Sequence, residues 1–379
     1  MSLYEIYLNN ESTGLKAFIV IDSLVWGISG GGLRTSPKVS MGEVRELART
    51  MTYKWAAMGI PFGGAKAGIV AQPDAKNKLE LLQSFARLAK PLMHHNFFTG
   101  PDMGTTSEEV EFIFREAGID TISFVRKKLR ERGIEISLPK NVSLTNLGGR
   151  GFEDFITGYG VFSCIEEACK FLRLKMNEQK AVLQGFGTVG YSTAHYLSKQ
   201  GVKIVGISDL AGTIYNEKGL DIEAIYKARD RFGTIDRKKL SFQYEELGRE
   251  EILELDTDIL IPAAVASAIN SDNASKVKAK LVVEAANIPV TKEAEKSLHK
   301  RKILVIPDFI ANAGLACGFG LIMTGKTSTN RDEVFNAVAK RIKHATYYII
   351  KKSKEEKITP REAALKFSLL NAKEFASQS

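Results

Sequence analysis

The sequence predicts an α/β protein with two domains, one of which contains a doubly wound parallel sheet of the Rossmann type. The chain has 379 residues, of which 44% are apolar, and this is enough for two hydrophobic cores. Strand patterns alternate with helix patterns along most of its length, as they do in parallel sheets. We place the first domain at residues 1–150 and 330–379, because the C-terminal helices are expected to return to it, and the second at residues 151–329.

The first domain is predicted to contain a strand and two amphipathic helices. The strand is rich in β-branched residues, and apolar residues recur at helical spacing in the two helices. Ser40 and Glu43 form a capping-box pattern at the start of the first helix. The predicted ranges are 15–23 for the strand and 40–59 and 78–95 for the helices.

Two glycine-rich stretches are predicted to lie between these elements. Residues 30–32 are three glycines and are typical of a turn. PFGGAKAG, at residues 61–68, is interpreted as a loop, because glycine is costly to order and gives little to pack. It does not match the GxxxxGK[ST] pattern of a phosphate-binding loop, so Lys66 needs another explanation.

The second domain is predicted to open with a β-α-β unit. An apolar strand runs into a glycine turn at residues 180–190, a helix follows at 191–201, and a second strand covers 202–209. Further strands with helices between them complete the parallel sheet, and they are expected at residues 258–263, 281–286 and 303–308. From about residue 330 the chain is helical and rich in lysine.

Composition argues against several classes of protein. The net charge is +9, but the basic residues are spread along the chain, and the densest run, residues 125–133, is interpreted as one solvated helix face. Specific nucleic-acid binding is therefore not expected. The three cysteines lack metal-ligand spacing and indicate a reduced, cytoplasmic protein without a structural metal. No apolar run is long enough to cross a membrane. We have no interpretation of residues 125–142 beyond this helix face.

The glycine turn after the first strand of the second domain is the strongest motif. It follows an apolar strand and opens a helix, so its glycines permit a tight turn and close approach of the backbone to a pyrophosphate. Asp209 ends the next strand, where a carboxylate accepts hydrogen bonds from ribose and repels a 2′-phosphate. This pattern favours NAD over NADP. The predicted cofactor-binding residues of the turn are Gly185, Phe186, Gly187, Thr188, Val189 and Gly190.

Three charged residues stand in apolar, glycine-rich surroundings: Lys54, Lys66 and Asp102. Each taken alone fits a surface charge or a helix cap. Beside a nicotinamide site they suggest amino acid chemistry, because hydride transfer from an α-carbon needs a cation for the α-carboxylate, a group that polarises the oxygen and a base for the ammonium proton. A buried lysine near another cation has a lowered pKa, which suits proton exchange near neutral pH.

At this point the chain resembles the glutamate/leucine/phenylalanine/valine dehydrogenase family, over residues 15–343. The resemblance is carried by nine stretches in family order: GGGLR, LARTMTYKWAAMGIPFGGAKAGI, GPDMGTT, TGYGV, QGFGTVG, SDLAGTIYNEKGLD, LIPAA, VVEAANIPVT and VIPDFIANAGL. It implies reversible, NAD-dependent oxidative deamination of an L-amino acid to a 2-oxo acid and ammonium, in a cleft that closes to exclude water. It also implies a homo-oligomer.

The resemblance implies roles for individual residues. Lys54 matches the lysine that holds the substrate α-carboxylate, Lys66 the catalytic lysine, and Asp102 the carboxylate that transfers the proton. Other matching positions line the substrate or the nicotinamide, and these are Gly64, Thr157, Ala263, Ala264, Asn287 and Asn312.

Two positions bear on the substrate. Glutamate-specific members of the family carry a lysine at the position of Gly30 and a serine at the position of Phe319, and both bind the side-chain carboxylate. Their absence argues for an apolar or aromatic substrate, because an unpaired carboxylate in a closed site is expensive. Two alternatives stay open: glutamate recognised by a different cation, or an inactive dinucleotide-binding paralogue.

Overall fold

The structure, a computed structural model, describes residues 2–136, 152–230 and 233–377, and it divides into two compact units. Unit 1 comprises Met1–Arg150, Ala316–Val334 and Ser368–Ser379, and unit 2 comprises Gly151–Leu315 and Phe335–Phe367. Each unit has its own sheet, as the predicted α/β fold with two domains requires. The sequence placed the return to the first domain at residue 330, whereas the division in the structure falls at residue 315 and again within the C-terminal helices. Helical periodicity continues through these points, so the sequence pattern does not mark them.

Unit 1 is built on a mixed five-stranded sheet in the order β1-β2-β4-β3-β5. Strands β3, β4 and β5 run parallel to one another, while β1 and β2 form an antiparallel hairpin joined to β4. The strands are β1 Tyr4–Asn10, β2 Leu15–Ile21, β3 Ser29–Thr35, β4 Gly63–Ile69 and β5 Phe97–Pro101, and the helices are α1 Met41–Ala57, α2 Lys78–His95, α3 Ser107–Ala117 and α4 Thr121–Arg130.

The two glycine-rich stretches of unit 1 are strands, and their assignment as a turn and a loop was wrong. Gly30 to Gly32 belong to β3, and most of PFGGAKAG forms β4, which is buried along its whole length. A Cβ built on Gly31 would lie 1.7 Å from the carbonyl oxygen of Ala65, and one built on Gly64 would lie 2.2 Å from the backbone nitrogen of Thr52 in α1. Glycine is therefore used here because neighbouring backbone leaves no room for a side chain.

The predicted helices of unit 1 are confirmed as α1 and α2. Ser40 caps α1 by accepting a hydrogen bond from the backbone N–H of Glu43. The Glu43 carboxylate binds Arg34. The basic run near residue 125 lies on α4, whose Val125 and Leu129 are buried. Residues 137–142 of the uninterpreted segment fall outside the described residues.

Unit 2 is built on a seven-stranded sheet in the order β12-β11-β10-β6-β7-β8-β9. The five strands from β12 to β7 are parallel, and β8 and β9 extend the sheet in antiparallel fashion. The predicted β-α-β unit is confirmed as β6, α6 (Thr188–Lys199) and β7. The strands are β6 Lys180–Gln184, β7 Lys203–Ser208, β8 Thr213–Tyr215, β9 Glu245–Leu247, β10 Ile259–Pro262, β11 Leu281–Val283 and β12 Leu304–Ile306.

The helices from α5 onward belong to unit 2 or cross the divisions between the units. Their bounds are α5 Phe152–Leu172, α6 Thr188–Lys199, α7 Ile222–Ala228, α8 Lys292–Lys300, α9 Asp308–Ala311, α10 Gly314–Met323, α11 Arg331–Glu356 and α12 Pro360–Ser377.

Other sequence predictions concern the cysteines and the membrane. Cys164, Cys169 and Cys317 are buried, and no disulfide joins them in the part of the chain that the structure describes. Among the residues that the structure describes, no helix is both long enough and apolar enough to span a bilayer.

Candidate active site

Three neighbouring parallel strands of unit 1 bring a lysine, an arginine and an aspartate together. Lys66 lies on β4, Arg34 on β3, and Asp102 directly follows β5. Nζ of Lys66 is 3.1 Å from Oδ2 of Asp102, and Nε of Arg34 donates to the same oxygen at 2.9 Å. All three side chains are largely buried, with 5%, 8% and 13% of the Lys66, Arg34 and Asp102 side chains exposed. The sequence predicted Lys66 and Asp102 as catalytic residues, and the structure places the two in contact.

Arg34 was missed as a site residue, although it ends the GGGLR stretch. Its Nη1 donates to Glu43 at 2.6 Å while its Nε binds Asp102. The planar guanidinium thus joins the start of α1 to the end of β5. The signal in the sequence was present, because an arginine in an otherwise apolar strand needs a carboxylate partner when it is buried.

Burial and neighbouring charges shift the pKa values of both Lys66 and Asp102. Burial lowers the pKa of Lys66 below its ordinary value, and Arg34 adds to this effect while Asp102 opposes it. Burial would raise the pKa of Asp102, but Lys66 and Arg34 outweigh it and hold that pKa below its ordinary value. The carboxylate therefore stays ionised, and the lysine gives up its proton more readily than an exposed lysine would.

The glycine at position 32 sets how closely this pair can approach. A Cβ on Gly32 would lie 2.8 Å from Cβ of Asp102 and 3.0 Å from Nζ of Lys66. No side chain fits there without displacing one of the two. The site therefore requires glycine in the middle of β3, although glycine makes a strand less stable.

Lys54 is buried in the last turn of α1, with 7% of the residue exposed. Gly64 of β4 packs against this helix, since its Cβ would meet the backbone and hydroxyl of Thr52 within 2.3 Å. The structure therefore seats the helix that carries Lys54 directly on the strand that carries Lys66.

An aromatic cluster covers Gly30. The ring centroid of Phe98 lies 5.5 Å from that of Phe319, 5.6 Å from that of Phe62 and 6.2 Å from that of Trp55. A Cβ built on Gly30 would lie 2.1 Å from Cζ of Phe98, so the Phe98 ring occupies the space that a side chain at position 30 would take. Trp55 donates from Nε1 to the Gly30 carbonyl at 2.8 Å, which fixes the indole in this cluster.

The glycine turn of unit 2 has the geometry of a phosphate-binding turn. Gly185 has φ = +97°, and a Cβ on Gly190 would lie 2.2 Å from the Gly185 carbonyl oxygen. Gly187 precedes the first turn of α6, and a Cβ there would meet open space. Phe186 is buried and Val189 partly exposed in the same turn. Unpaired backbone N–H groups at this helix start suit a pyrophosphate.

Other predicted residues meet this turn at the carboxyl edge of the parallel strands. The Cβ of Ala264 would lie 2.8 Å from a Cβ on Gly185, and Ala263 donates its N–H to Gln184, the last residue of β6, at 2.8 Å. Oε1 of Gln184 is buried and has no hydrogen-bond partner among the described residues. An orphaned acceptor at this edge fits a site that a polar ligand completes.

Asn312 and Asn287 are joined to each other. Nδ2 of Asn312 donates to Oδ1 of Asn287 at 3.1 Å and to the carbonyls of Ala285 and Ala286. Oδ1 of Asn312 is buried and unpaired among the described residues, a second orphaned acceptor. Thr157 lies on α5, where the helix packs against the backbone of Gly314. These residues fit the nicotinamide end of a dinucleotide.

Asp209 is engaged in a way that the sequence did not reveal. Arg237, 28 positions later, forms a two-point ion pair with it: Nη2 donates to Oδ1 at 2.7 Å, and Nη1 contacts Oδ2. The segment around Arg237 also reaches the glycine turn, because a Cβ on Gly233 would lie 2.7 Å from the N of Gly187. Asp209, the residue predicted to accept hydrogen bonds from ribose, is therefore already bound to Arg237.

A buried ionic cluster supports the ends of β11 and β12. Arg361 donates to both oxygens of Glu284 at 2.6 and 2.7 Å, to Glu295 at 2.6 Å and to Asp308 at 3.2 Å. Burial and neighbouring Asp308 raise the pKa of Glu284 to about 8, against the pull of Arg361. The cluster fixes the strand ends from which Asn287 and Asn312 follow.

One unit of the Rossmann type carries a dinucleotide turn, and the other buries a lysine–aspartate pair. A chain with both features is typical of a nicotinamide-dependent dehydrogenase. Comparison with known families identifies the family of dehydrogenases to which the chain belongs. Residues 148–377 match the model described as Glutamate/Leucine/Phenylalanine/Valine dehydrogenase, and residues 4–118 match Glu/Leu/Phe/Val dehydrogenase, dimerisation domain. The chain belongs to the glutamate/leucine/phenylalanine/valine dehydrogenase family and is an oxidoreductase that acts on the CH–NH2 group of an amino acid.

Individual relatives agree with this assignment. A glutamate dehydrogenase of Thermotoga maritima is 35% identical over 346 residues, which cover 89% of this chain and 80% of the relative. An NAD-specific glutamate dehydrogenase of Staphylococcus aureus is 36% identical over 293 residues, 76% of this chain and 67% of the relative. The hetero-hexameric glutamate dehydrogenase of Thermus thermophilus, in a leucine-bound form, shares the fold with a TM-score of 0.79 and 24% identity, covering 98% of this chain and 88% of the other.

Proposed function

We propose that the protein catalyses the reversible oxidative deamination of an L-amino acid with an apolar or aromatic side chain. The amino acid, water and NAD would give the 2-oxo acid, ammonium, NADH and a proton. In this proposal unit 1 binds the amino acid and unit 2 binds the dinucleotide. The observation that carries the substrate preference is the Phe98 ring, which fills the space beside Gly30 where a cation for a side-chain carboxylate would otherwise stand.

The buried charges of unit 1 supply the acid–base chemistry. Lys54 holds the α-carboxylate of the substrate. When bound to unit 2, the nicotinamide of the dinucleotide would supply the acceptor for the hydride of the α-carbon. Lys66, whose pKa burial lowers, polarises the oxygen of the 2-oxo acid and activates the water that replaces the amino group. Asp102 accepts the proton from the substrate ammonium, and Arg34 keeps its carboxylate oriented and ionised.

The proposed preference for the substrate side chain follows from the aromatic cluster that covers Gly30, which forms an aromatic wall there. Trp55, Phe62, Phe98 and Phe319 carry no positive charge. The one hydrogen-bond donor among these rings, Nε1 of Trp55, is bound to the Gly30 carbonyl. An unpaired carboxylate taken out of water costs several kcal/mol, whereas an apolar or aromatic side chain gains by burial against rings. The geometry of unit 1 therefore favours a leucine-like or phenylalanine-like substrate.

Glutamate is the second candidate substrate, and the relatives favour it. Those from Thermotoga maritima and Staphylococcus aureus are both named glutamate dehydrogenases. For glutamate to bind, another basic residue would have to replace the lysine that is missing at Gly30. Arg34 and Lys66, two buried cations of unit 1, are already paired with Asp102, and a third, Lys54, is assigned to the α-carboxylate.

NAD is the proposed hydride acceptor. The sequence predicted NAD from Asp209, which the structure pairs with Arg237, and the Staphylococcus aureus relative is named as NAD-specific. The glycine turn and the two orphaned acceptors, on Gln184 and Asn312, fit a bound dinucleotide. The match to a dimerisation domain supports a homo-oligomer. We further propose a cytoplasmic protein with small-molecule partners only.

The test is NADH oxidation that requires both ammonium and a 2-oxo acid. Lys66→Met should lose turnover by roughly three orders of magnitude, because it removes the group that activates water. NADH binding, measured by calorimetric titration, should be unchanged. Lys38→Met, at an exposed lysine in the same unit, is the control. Unchanged turnover in Lys66→Met would contradict the assigned role, and NADH binding without turnover on any 2-oxo acid would indicate an inactive paralogue.

A further inference from the structure

The carboxylate of Asp209 has no remaining capacity for a ribose hydroxyl. Its Oδ1 accepts hydrogen bonds from the backbone N–H groups of Ala211 and Gly212 at 2.9 and 3.2 Å and from Nη2 of Arg237 at 2.7 Å. Its Oδ2 accepts from the N–H of Ile235 at 2.7 Å and from Nη1 of Arg237. An ionised carboxylate offers about four acceptor positions, so these donors saturate it.

The guanidinium is the more exposed member of this pair. The Asp209 side chain is 3% exposed and the Arg237 side chain is 16% exposed. Of the two groups, the guanidinium is therefore the one that a ligand can reach from solvent. The preference for NAD inferred from sequence depended on an uncompensated carboxylate that repels a 2′-phosphate, and Arg237 removes that repulsion.

Arg237 also retains hydrogen bonds that a phosphate could replace. Besides Asp209, its Nη1 donates to the carbonyl of Ile235 at 2.8 Å and its Nη2 to that of Gly212 at 3.3 Å. These acceptors are neutral, and bonds from arginine to an anionic phosphate are stronger. Lys238 and Lys239 follow in the same short helix; Lys239 is paired with Asp236 at 3.5 Å, and Lys238 adds positive charge beside the Asp209–Arg237 pair.

We propose that Arg237 makes the adenosine end of the site tolerant of a 2′-phosphate, so that the protein binds NADP(H) as well as NAD(H). This inference rests on the proposed function only in that unit 2 must bind a dinucleotide. Arg237 acts as a specificity residue in two ways. It is bound to the carboxylate that would otherwise accept a hydrogen bond from a free 2′-hydroxyl, and its positive charge can attract a 2′-phosphate.

The experiment is calorimetric titration of NADH and NADPH into the whole protein and three variants. In the wild type, the two dissociation constants should lie within about tenfold of each other. Arg237→Gln should weaken NADPH binding by about tenfold or more relative to NADH, because a phosphate then faces an uncompensated carboxylate. Arg237→Lys, which keeps the charge, should retain most of the NADPH affinity. Lys238→Gln, a matched loss of charge at an exposed neighbour, should shift the ratio much less.

Three results would overturn the proposal: wild-type protein that binds NADH but excludes NADPH by more than about 100-fold, an Arg237→Gln variant in which both affinities fall equally, or a Lys238→Gln variant with the same shift as Arg237→Gln. Thermal melting of each variant establishes that it is folded. Absence of binding by either dinucleotide would instead contradict the assignment of unit 2 as the dinucleotide-binding domain.

Discussion

Nζ of Lys66 and Oδ2 of Asp102 lie 3.1 Å apart, and the space beside them is closed by Gly32. A methyl group at position 32 would stand 2.8 Å from Cβ of Asp102 and 3.0 Å from the lysine nitrogen. We therefore predict that Gly32→Ala separates the pair and lowers kcat by about 100-fold, because a displacement of this size misaligns proton transfer. Steady-state kinetics measures the effect.

Gly42→Ala is the matched control for this substitution. It lies in the first turn of α1, where a Cβ meets only Oγ of Ser40 at 3.8 Å. Alanine there should leave kcat unchanged and raise the unfolding free energy slightly, since alanine favours helix over glycine. If both variants keep full activity, the close fit around Lys66 and Asp102 has no role in catalysis.

The Phe98 ring should block conversion to a glutamate enzyme by a single substitution. Gly30→Lys places its Cβ 2.1 Å from Cζ of Phe98, and that ring is held by Trp55, Phe62 and Phe319. We predict that Gly30→Lys alone lowers the melting temperature without activity on 2-oxoglutarate. Gly30→Lys combined with Phe98→Val should recover stability and gain that activity. A single Gly30→Lys variant that is stable and active on 2-oxoglutarate would refute the blocking role of Phe98.

The rate of oxidative deamination should depend on pH through Lys66. The neutral amine is the form that can take a proton from water, so kcat/KM should rise with pH and level off above the Lys66 pKa. Burial and Arg34 lower that pKa below the ordinary 10.5. Arg34→Gln removes a nearby positive charge and should move the rising limb to higher pH. A profile that stays in place, or moves to lower pH, would contradict this assignment of the titrating group.

Stability should fall as the pH rises through the region where Glu284 titrates. Its pKa is raised to about 8 in the folded protein, against 4.5 ordinarily. Between these values the folded state binds one more proton than the unfolded state, so the unfolding free energy decreases as the pH increases. Urea unfolding from about pH 5 to about pH 9 should show this slope, and Glu284→Gln should reduce it. If Glu284→Gln shows the same slope, the pH dependence of the unfolding free energy comes from other groups.

Local patterns predicted the helices and the β-α-β unit because these depend on periodicity and on a turn within a few residues. The glycines of β3 and β4 were misjudged for the opposite reason. Gly31 and Gly64 must be glycines because the fold brings the backbone of β4 against Gly31 and the backbone of α1 against Gly64. The local sequence pattern does not reveal these contacts.

Long-range pairing also explains what was missed in the candidate site. Lys66 and Asp102 stood out by their apolar surroundings, but the partner of Asp209 lies 28 residues away in a stretch with no motif. Phe98 belongs to none of the sequence motifs that pointed to the site. Only its position against Gly30 gives it a bearing on the substrate.

The preference for an apolar or aromatic side chain is tested most directly by comparing kcat/KM for phenylpyruvate and 4-methyl-2-oxopentanoate with that for 2-oxoglutarate, with ammonium and NADH saturating. The aromatic wall at Gly30 predicts that one of the first two exceeds 2-oxoglutarate by about 100-fold or more, because the side-chain carboxylate finds no cation. A higher kcat/KM for 2-oxoglutarate than for both would contradict the account and identify a glutamate dehydrogenase with a different carboxylate ligand.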